Sequence, residues 1–278
     1  MNFVTTFTAI LLATTVIASA ADLTILNTGS ETGSWASITT ALSTDLASTY
    51  TIAFQNPGKH CVAVAANMPT ITGPVLFPWG NDLEAAGRDG EGCATVDVKP
   101  SAIIGFTASP LYACSMNNLD ILKTDGKVGH TTPPYAFTRL ITAINTNFGT
   151  NHVGVPYDGS GDARAALLSG EVEYIVVSER HAEKVKAEGA TCAVSTSANG
   201  PDNFASLAAD KDLVVEFTTV LATANMTEGQ QADIKKSVEA AYADTGSAFY
   251  GFTGGIDYQW DGDLAASYES SVVAMQKN

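Results

Sequence analysis

The chain has 278 residues, a hydrophobic fraction of 45% and a formal net charge of -15. Its length exceeds the usual size of one domain and favours two lobes, and the hydrophobic fraction is enough to give each lobe a core. With 14 Lys and Arg against 29 Asp and Glu, the sequence has no basic cluster of the kind that neutralises phosphates, which argues against nucleic acid as a partner.

The first 20 residues have the features of a secretory signal peptide. Residues 8–18 are apolar and uncharged, and Ala18-Ser19-Ala20 has the small-x-small pattern that signal peptidase recognises. The segment before this run lacks Lys and Arg, and an N-terminal membrane anchor is the alternative, although the run is short for a span of about 20 residues. We expect cleavage near Ala20 and a periplasmic or otherwise extracytoplasmic location.

Strand-like and helix-like segments alternate along the rest of the chain, which predicts an α/β protein with a largely parallel sheet. Strands are predicted at residues 23–26, 50–54, 74–77, 102–106, 111–115, 153–155, 171–177, 192–195 and 214–221. Helices are predicted around residues 35–46, 62–68, 137–144, 163–169, 182–187, 228–243 and 264–275. Residues 82–95 are predicted to form an acidic surface insertion, and residues 126–134 a polar loop.

The run from His152 to Val177 is the most informative part of the sequence. It contains a short strand, a turn at residues 158–161, a helix that ends at Gly170 and a second strand. Because the run offers no catalytic set and its order of strand, helix and strand is typical of an α/β sheet, we interpret it as scaffold.

All four cysteines, Cys61, Cys93, Cys114 and Cys192, lie beyond the signal peptide. An even number of cysteines in an exported chain favours disulfides, and four cysteines allow three pairings. We favour Cys61–Cys93 and Cys114–Cys192, because the first two fall in the N-terminal part and the others on central strands. A zinc site is the weaker alternative, since the sequence has no C-x-x-C pair.

Short motifs spread over the mature chain resemble those of one receptor family. The motifs are residues 32–34 (TGS), 54–58 (FQNPG), 104–111 (IGFTASPL), 128–135 (VGHTTPPY), 155–161 (VPYDGSG) and 166–172 (ALLSGEV). They resemble segments of the tripartite tricarboxylate transporter receptors, the Bug family of extracytoplasmic solute-binding proteins. The match at residues 155–161 is the most specific.

The resemblance implies a two-lobed periplasmic-binding-protein fold of type II-like topology, with a mixed, mostly parallel sheet in each lobe. Lobe 1 would comprise residues 21–111 and 216–278, and lobe 2 residues 112–215. Such a receptor would be a monomer without catalytic group, metal or cofactor. It would bind a small organic anion in the cleft between the lobes and pass it to a membrane permease.

Two loops that precede helices are the first candidates for the ligand site. Gly33, Ser34 and Trp35 open the first helix, and His130, Thr131 and Thr132 precede the helix of the second lobe. Helix N-termini receive anions through backbone N–H groups and the helix dipole, without any basic side chain. The alternative is that both loops are ordinary helix caps.

Three further residues are candidates because of their places after strands. Trp79 either stacks on a ligand or covers the core of its lobe, and Asn81 follows it in a segment that contributes to the cleft of the family. Ser178 either faces the ligand or is a buried hydroxyl without a role. Tyr157 is interpreted as structural.

The sequence departs from the family at positions that bear on the ligand. Ala36 and Val177 stand where the family often has Asp, and Lys59 and His60 follow the Asn-Pro-Gly turn. The loss of carboxylates weakens the case for an amino acid, because an ammonium group needs a counter-charge. Lys59 and His60 would favour an anion if they face the cleft. A di- or tricarboxylate or an aromatic carboxylate is therefore expected.

Two other functions are kept as alternatives: an exported enzyme of hydrolase type, and a receptor fold that has become a structural or interaction protein. Asp158 stands where a nucleophile elbow needs glycine, which argues against the hydrolase. Two minor patterns are residues 257–263, with three Asp that could bind calcium, and Asn225-Met226-Thr227, which matches a glycosylation acceptor.

Overall fold

A computed structural model describes residues 22–29, 33–55, 68–88, 102–131, 135–195, 216–254 and 256–277. Several predictions from the sequence lie outside these residues: the signal peptide, the helix at 62–67, the Cys61–Cys93 pair, Lys59, His60 and Thr132. Within the described part, no helix combines the length and apolar character needed to cross a membrane.

Nine strands form the framework of the described residues. They are β1 (Leu23–Leu26), β2 (Ile52–Gln55), β3 (Val75–Gly80), β4 (Ala102–Ser115), β5 (Lys127–Thr131), β6 (Val153–Tyr157), β7 (Tyr174–Ser178), β8 (Thr191–Ser195) and β9 (Glu216–Ala224). The helices are α1 (Ser34–Leu46), α2 (Asn81–Arg88), α3 (Tyr135–Phe148), α4 (Ser160–Ser169), α5 (Glu179–Ala187), α6 (Glu228–Ala243), α7 (Ala248–Thr253) and α8 (Leu264–Lys277). Two short 3-10 helices span Met68–Thr70 and Leu119–Lys123.

Strand β4 belongs to both lobes. Its first part, up to Pro110, pairs with β9 and completes the order β2-β1-β3-β9-β4 of lobe 1. Its second part, from Leu111, lies between β7 and β8 and completes the order β6-β5-β7-β4-β8 of lobe 2. Leu111 is also the residue at which the sequence analysis ends the first segment of lobe 1, and that boundary stays a prediction.

The sheet in each lobe is mixed, as predicted, but parallel pairs do not dominate. In lobe 1, β1 pairs in parallel with β2 and β3, whereas β9 is antiparallel to β3 and β4. In lobe 2, β5 pairs in parallel with β6 and β7, whereas β4 is antiparallel to β7 and β8. Every antiparallel pair involves β4 or β9, and β4 is the strand that runs through both lobes.

The prediction of separate strands at 102–106 and 111–115 is wrong, because the backbone continues through Pro110 as one strand. Proline lacks a backbone donor and usually interrupts a ladder. Here Pro110 is the last residue paired with β9, and the donor of Leu111 reaches the Ser195 hydroxyl at 3.2 Å. The proline therefore occupies the point where the strand changes partners.

Two other local predictions are also corrected. Residues 82–88 form most of α2 rather than an insertion, and Leu83 and Ala85 are buried there. Residues 127–131 form β5 rather than a loop, with the pattern of one exposed residue followed by four buried ones. In β5, glycine and polar residues lie inside the protein, so the segment shows no apolar alternation in the sequence.

The hydrophobic core follows the alternation of side chains along the strands. On β4, Leu111 and Ala113 belong to the larger core, whereas Tyr112 and Cys114 face a second core beneath α4 and α5. Cys114 is bonded to Cys192 on β8, directly opposite in the register, with a Cα–Cα distance of 4.0 Å. This pair of the predicted disulfides is confirmed.

Candidate functional site

A cavity of about 530 Å³ lies between the two lobes. Lobe 1 contributes Gly29, Gly33, Ser34, Trp35, Ile38, Thr107, Ser109, Thr219, Gly251, Phe252, Gly254, Ile256 and Tyr258. Lobe 2 contributes Thr131, Phe137, Asp158, Gly159, Ser160, Ser178, Glu179, Arg180 and Glu183. A molecule in this space would contact both lobes at once.

Three helices begin at this cavity. The residues before α1, α4 and α5 are Gly33, Gly159 and Ser178, and all three have extended backbones and line the cavity. Gly33 and Gly159 have no side chain with which to cap a helix, and the Ser178 side chain does not cap α5. The first N–H groups of a helix have no acceptor within the helix, and they carry the positive end of its dipole. The cavity is therefore suited to an anion.

Helices whose N-termini lie away from the cavity are capped differently. The Thr227 hydroxyl accepts the Gln230 N–H at the start of α6, and Gln230 completes a capping box. At the start of α7, the Ser247 hydroxyl accepts the Tyr250 N–H. The absence of side-chain caps on α1, α4 and α5 is therefore not a general property of the described helices.

Five of the residues that the sequence singled out lie at the cavity: Gly33, Ser34, Trp35, Thr131 and Ser178. Their role in ligand binding stays a prediction. They come from both lobes, from the start of α1, the end of β5 and the end of β7. The fold brings them together because each follows or ends a strand on the side of the sheet that faces the cleft.

Three other predicted residues are buried away from the described lining. Trp79 is 3% exposed and packs edge-on against Phe77, with ring centroids 6.2 Å apart. The Asn81 side chain accepts the Thr218 N–H at 3.0 Å and donates to the Ser271 carbonyl at 3.4 Å. These contacts tie the start of α2 to β9 and α8, so both side chains have structural partners.

His130 is also buried, at 3% exposure, and its Nδ1 lies 3.1 Å from the Thr131 carbonyl oxygen. Burial lowers the pKa of this imidazole, because desolvation disfavours the charged form. Its ring lies against Gly154 of β6, where an added Cβ would be 2.8 Å from Nε2. His130 thus fills the contact between two neighbouring strands.

The turn at Asp158, Gly159 and Ser160, which the sequence analysis treats as scaffold, lines the cavity. That interpretation is corrected: the run around it builds lobe 2 and also brings the start of α4 to the site. A signal was present in the sequence, because Gly-Ser precedes or opens a helix at both 33–34 and 159–160.

Hydroxyl groups from the strands that join the lobes form another part of the lining. Thr107 and Ser109 of β4 and Thr219 of β9 line the cavity, and Thr107 lies directly opposite Thr219 in the register. The Thr107 hydroxyl is buried and has no hydrogen-bond partner within the described parts of the chain. Sequence reasoning missed these residues because they lie within strands rather than at their ends.

Aromatic side chains complete the described lining, with Trp35, Phe137, Phe252 and Tyr258. Tyr258 is held by Trp260, whose ring stacks on it at 5.3 Å with an interplanar angle of 18°. Trp260 in turn lies against Gly105 of β4, where an added Cβ would be 2.7 Å from its Cζ3 atom. Tyr258, one of the four residues of this aromatic wall, is thus anchored to the strand that runs through both lobes.

Arg180, in the first turn of α5, also lines the cavity and was missed by the sequence analysis. Its guanidinium carbon lies 3.6 Å from the centroid of the Phe252 ring on α7, and its Nη1 donates to the Phe252 carbonyl oxygen. Because α5 belongs to lobe 2 and α7 to lobe 1, this contact crosses the cleft.

The Ser178 hydroxyl lies 3.5 Å from His181 Nδ1, which is longer than an ordinary hydrogen bond. Burial, followed by the charges of Lys184, Arg180 and Arg164, lowers the pKa of His181 to about 4. The imidazole is therefore neutral at physiological pH. Among the described residues, no carboxylate is hydrogen-bonded to it in the way that a hydrolytic triad requires.

The two minor patterns have structural explanations. Asp261 pairs with Lys235 at 3.2 Å, Asp263 accepts the Ala266 N–H at 3.0 Å, and the described residues contain no metal-binding group of acidic, His and Cys side chains. Asn225 donates from its amide nitrogen to the Ile71 carbonyl at 2.8 Å. The amide that a glycan would modify is thus already engaged in the fold.

Solved structures of solute-binding proteins share this fold. MatC from Rhodopseudomonas palustris, solved with bound malate, is 17% identical over 92% of this chain and 97% of its own, with a TM-score of 0.69. A second R. palustris protein, solved with adipate, is 14% identical over 92% and 95%, with a TM-score of 0.74. The periplasmic binding protein BugD is 14% identical over 92% of this chain and 95% of its own, with a TM-score of 0.68.

No protein-family model matches the sequence, and no curated protein is similar enough to count as a relative. At identities of 14–17% the solved structures establish the fold alone. The predicted two-lobed periplasmic-binding-protein fold is confirmed, and the motif resemblance to Bug receptors agrees with it.

Proposed function

We propose that this protein is an extracytoplasmic solute-binding receptor that captures a small organic anion in its interlobe cleft and delivers it to a membrane permease. The observation that carries the proposal is the meeting of three helix N-termini, from both lobes, at one cavity. The similar structures that hold malate or adipate support a carboxylate ligand.

The acidity of the chain does not oppose an anionic ligand at this site. Charges more than about 10 Å away are largely screened at physiological salt, so groups that touch the ligand decide its affinity. The described lining has three carboxylates. Glu183 pairs with Lys186 at 2.9 Å, Glu179 accepts the Tyr112 hydroxyl at 3.5 Å, and Asp158 also has an interaction partner within the protein. The N–H groups at helix N-termini attract an anion at short range, and this attraction is strongest where water is excluded.

The ligand class that fits best is a di- or tricarboxylate or an aromatic carboxylate. The volume of about 530 Å³ lies within the range of about 300–1,000 Å³ that small-molecule sites occupy. Backbone donors would receive the carboxylates, whereas the aromatic wall would cover the carbon skeleton. The threonine and serine hydroxyls on β4 and β9 would bind further oxygen atoms.

The same site supports binding without catalysis. A receptor releases its ligand unchanged, and the described lining offers hydrogen-bond donors but no nucleophile with an oriented base. We propose that the protein is not an enzyme, acts as a monomer, and reaches its location after removal of the signal peptide near Ala20.

A thermal-shift screen tests the proposal on the mature protein. Malate, adipate, citrate and benzoate are compared with the diamide of adipic acid. A ligand present at about 100 times its Kd adds about 2.7 kcal/mol to the stability of the folded form. For a chain of this size, that amount raises Tm by about 5–10 °C.

The acids should stabilise the protein and the diamide should not. The binding acid should be recovered unchanged after incubation, whereas its conversion would favour the hydrolase alternative. A flat Tm across all four acids would contradict the receptor function and favour the structural alternative.

A further inference from the structure

Arg180 lines the cavity and has no carboxylate partner among the described residues. It is the only Lys or Arg among the described lining residues, and it is partly buried. No described carboxylate forms an ion pair with it, and its contacts are the ring and the carbonyl of Phe252. Arg164, which does not line the cavity, is instead paired with Glu188.

An unpaired guanidinium in a cleft is energetically unfavourable, because desolvation of a charge is repaid only by a counter-charge or by several hydrogen bonds. Burial lowers the pKa of Arg180, and no neighbouring carboxylate offsets this effect. Its guanidinium has five N–H donors, and the Phe252 carbonyl takes a bond from one of its nitrogens. The remaining donors suit a planar anion.

We propose that Arg180 binds a carboxylate group of the ligand, and that Phe252 of the opposite lobe positions its guanidinium for this contact. This inference rests on the proposed receptor function and specifies its ligand further: one carboxylate must lie at the start of α5. Arg180 is then a specificity-determining residue that complements the helix N-termini.

Phe252 is well placed to position the guanidinium. The first N–H groups of α7 donate to the Asp45 carboxylate of α1, at 3.0 Å from Ala248 and 2.7 Å from Phe249. The helix that carries Phe252 is therefore tied to the helix whose N-terminus opens at the cavity. A ligand held by α1 and Arg180 would be gripped by both lobes.

The experiment measures affinity by calorimetry for malate, adipate, citrate and benzoate, on the wild type and on variants of the full mature chain. Arg180→Gln should bind the acid about 10–100-fold more weakly, because a charge-assisted hydrogen bond is lost. Lys184→Gln is the matched control: Lys184 lies on the same helix, is exposed, and does not line the cavity. It removes the same charge and should change the affinity less than about twofold.

Two further variants separate binding from folding and positioning. Arg180→Lys keeps the charge but not the planar guanidinium, and it should bind the acid about 3–10-fold more weakly than the wild type. This variant tests the role of Arg180 if Arg180→Gln does not fold. Phe252→Leu removes the ring but keeps the backbone carbonyl, and its affinity for the acid should be about 2–5-fold lower than that of the wild type. Phe252→Tyr keeps an aromatic ring and should bind the acid as tightly as the wild type. The salt dependence of binding should become weaker in Arg180→Gln and not in Lys184→Gln.

Each outcome either supports or overturns the role of Arg180 in ligand binding. Equal affinity in Arg180→Gln and the wild type would overturn the role of Arg180 and leave the receptor function standing. Equal losses in Arg180→Gln and Lys184→Gln would also overturn it, since the effect would then be general electrostatics. Failure of the wild type to bind any of the four acids would overturn both this inference and the proposed function.

Discussion

At the scale of single residues, glycine is the feature that makes the helix N-termini accessible. Gly33 and Gly159 precede α1 and α4 at the cavity, and both have extended backbones that any residue could adopt. Their value is therefore the lack of a side chain rather than an unusual conformation. At these two helices the missing Cβ lets a ligand oxygen approach the backbone N–H groups closely.

Replacement of Gly33 by Val tests this role. A branched side chain at the lining should weaken binding of the acids by about tenfold or more, because a misplaced or lost charge-assisted hydrogen bond costs that much. Calorimetry gives the affinity, and urea unfolding shows whether the fold is intact.

Gly73→Val is the matched control. Gly73 lies outside the cavity lining, and an added Cβ there meets no atom within 4 Å. Affinity that is the same in Gly33→Val and Gly73→Val would show that the start of α1 does not receive the ligand.

At the scale of elements, the Cys114–Cys192 disulfide joins the central strand β4 to the edge strand β8 of lobe 2. The bond closes a loop with a sequence separation of 78. In the chain-entropy account, a cross-link restricts the unfolded chain more as the loop becomes longer. The bond therefore stabilises the lobe that carries α4 and α5.

The double variant Cys114→Ser/Cys192→Ser should lose about 2–5 kcal/mol of unfolding free energy. Urea denaturation of the variant and the wild type, without reductant, measures the difference. An unchanged midpoint would mean that the bond does not stabilise the folded state.

The same variant also tests the predicted Cys61–Cys93 pair. If that second disulfide forms, dithiothreitol should destabilise the double variant further. If dithiothreitol has no effect on it, Cys61 and Cys93 are not linked in a stabilising bond.

At the scale of the whole molecule, β4 runs through both lobes, and β9 pairs with its first part. Two compact bodies that are joined by a small number of connections can move about a hinge. A ligand that contacts both lobes favours the closed form. The hydroxyls of Thr107, Ser109 and Thr219 lie on these connecting strands.

Saturation with a binding acid should therefore reduce the radius of gyration measured by small-angle X-ray scattering. The diamide of adipic acid should leave the radius unchanged. A constant radius at saturating acid would show that binding does not close the cleft.

Local patterns were sufficient for much of the fold. The helix predicted at residues 228–243 is confirmed with the same bounds, because a capping box and a regular apolar face both mark it. The alternation of strands and helices likewise predicted an α/β protein. By contrast, β5 was missed because its buried residues are His, Thr and Gly, whose burial depends on neighbouring strands.

By itself, the sequence determined the α/β class through its alternation of strands and helices, and it favoured the Cys114–Cys192 pair because both lie on central strands. Its resemblance to receptor motifs implied the two-lobed fold and five of the residues that line the cavity. Only the tertiary structure decided that Trp79, Asn81 and His130 pack into the interior, and that Asp158 to Ser160 and Arg180 lie at the cleft. The physical reason is that a cavity between lobes is built from residues far apart in the chain. Side chains at the end of a strand point to one face of the sheet or the other. The face that another element covers becomes interior, and the opposite face is left to line the cleft.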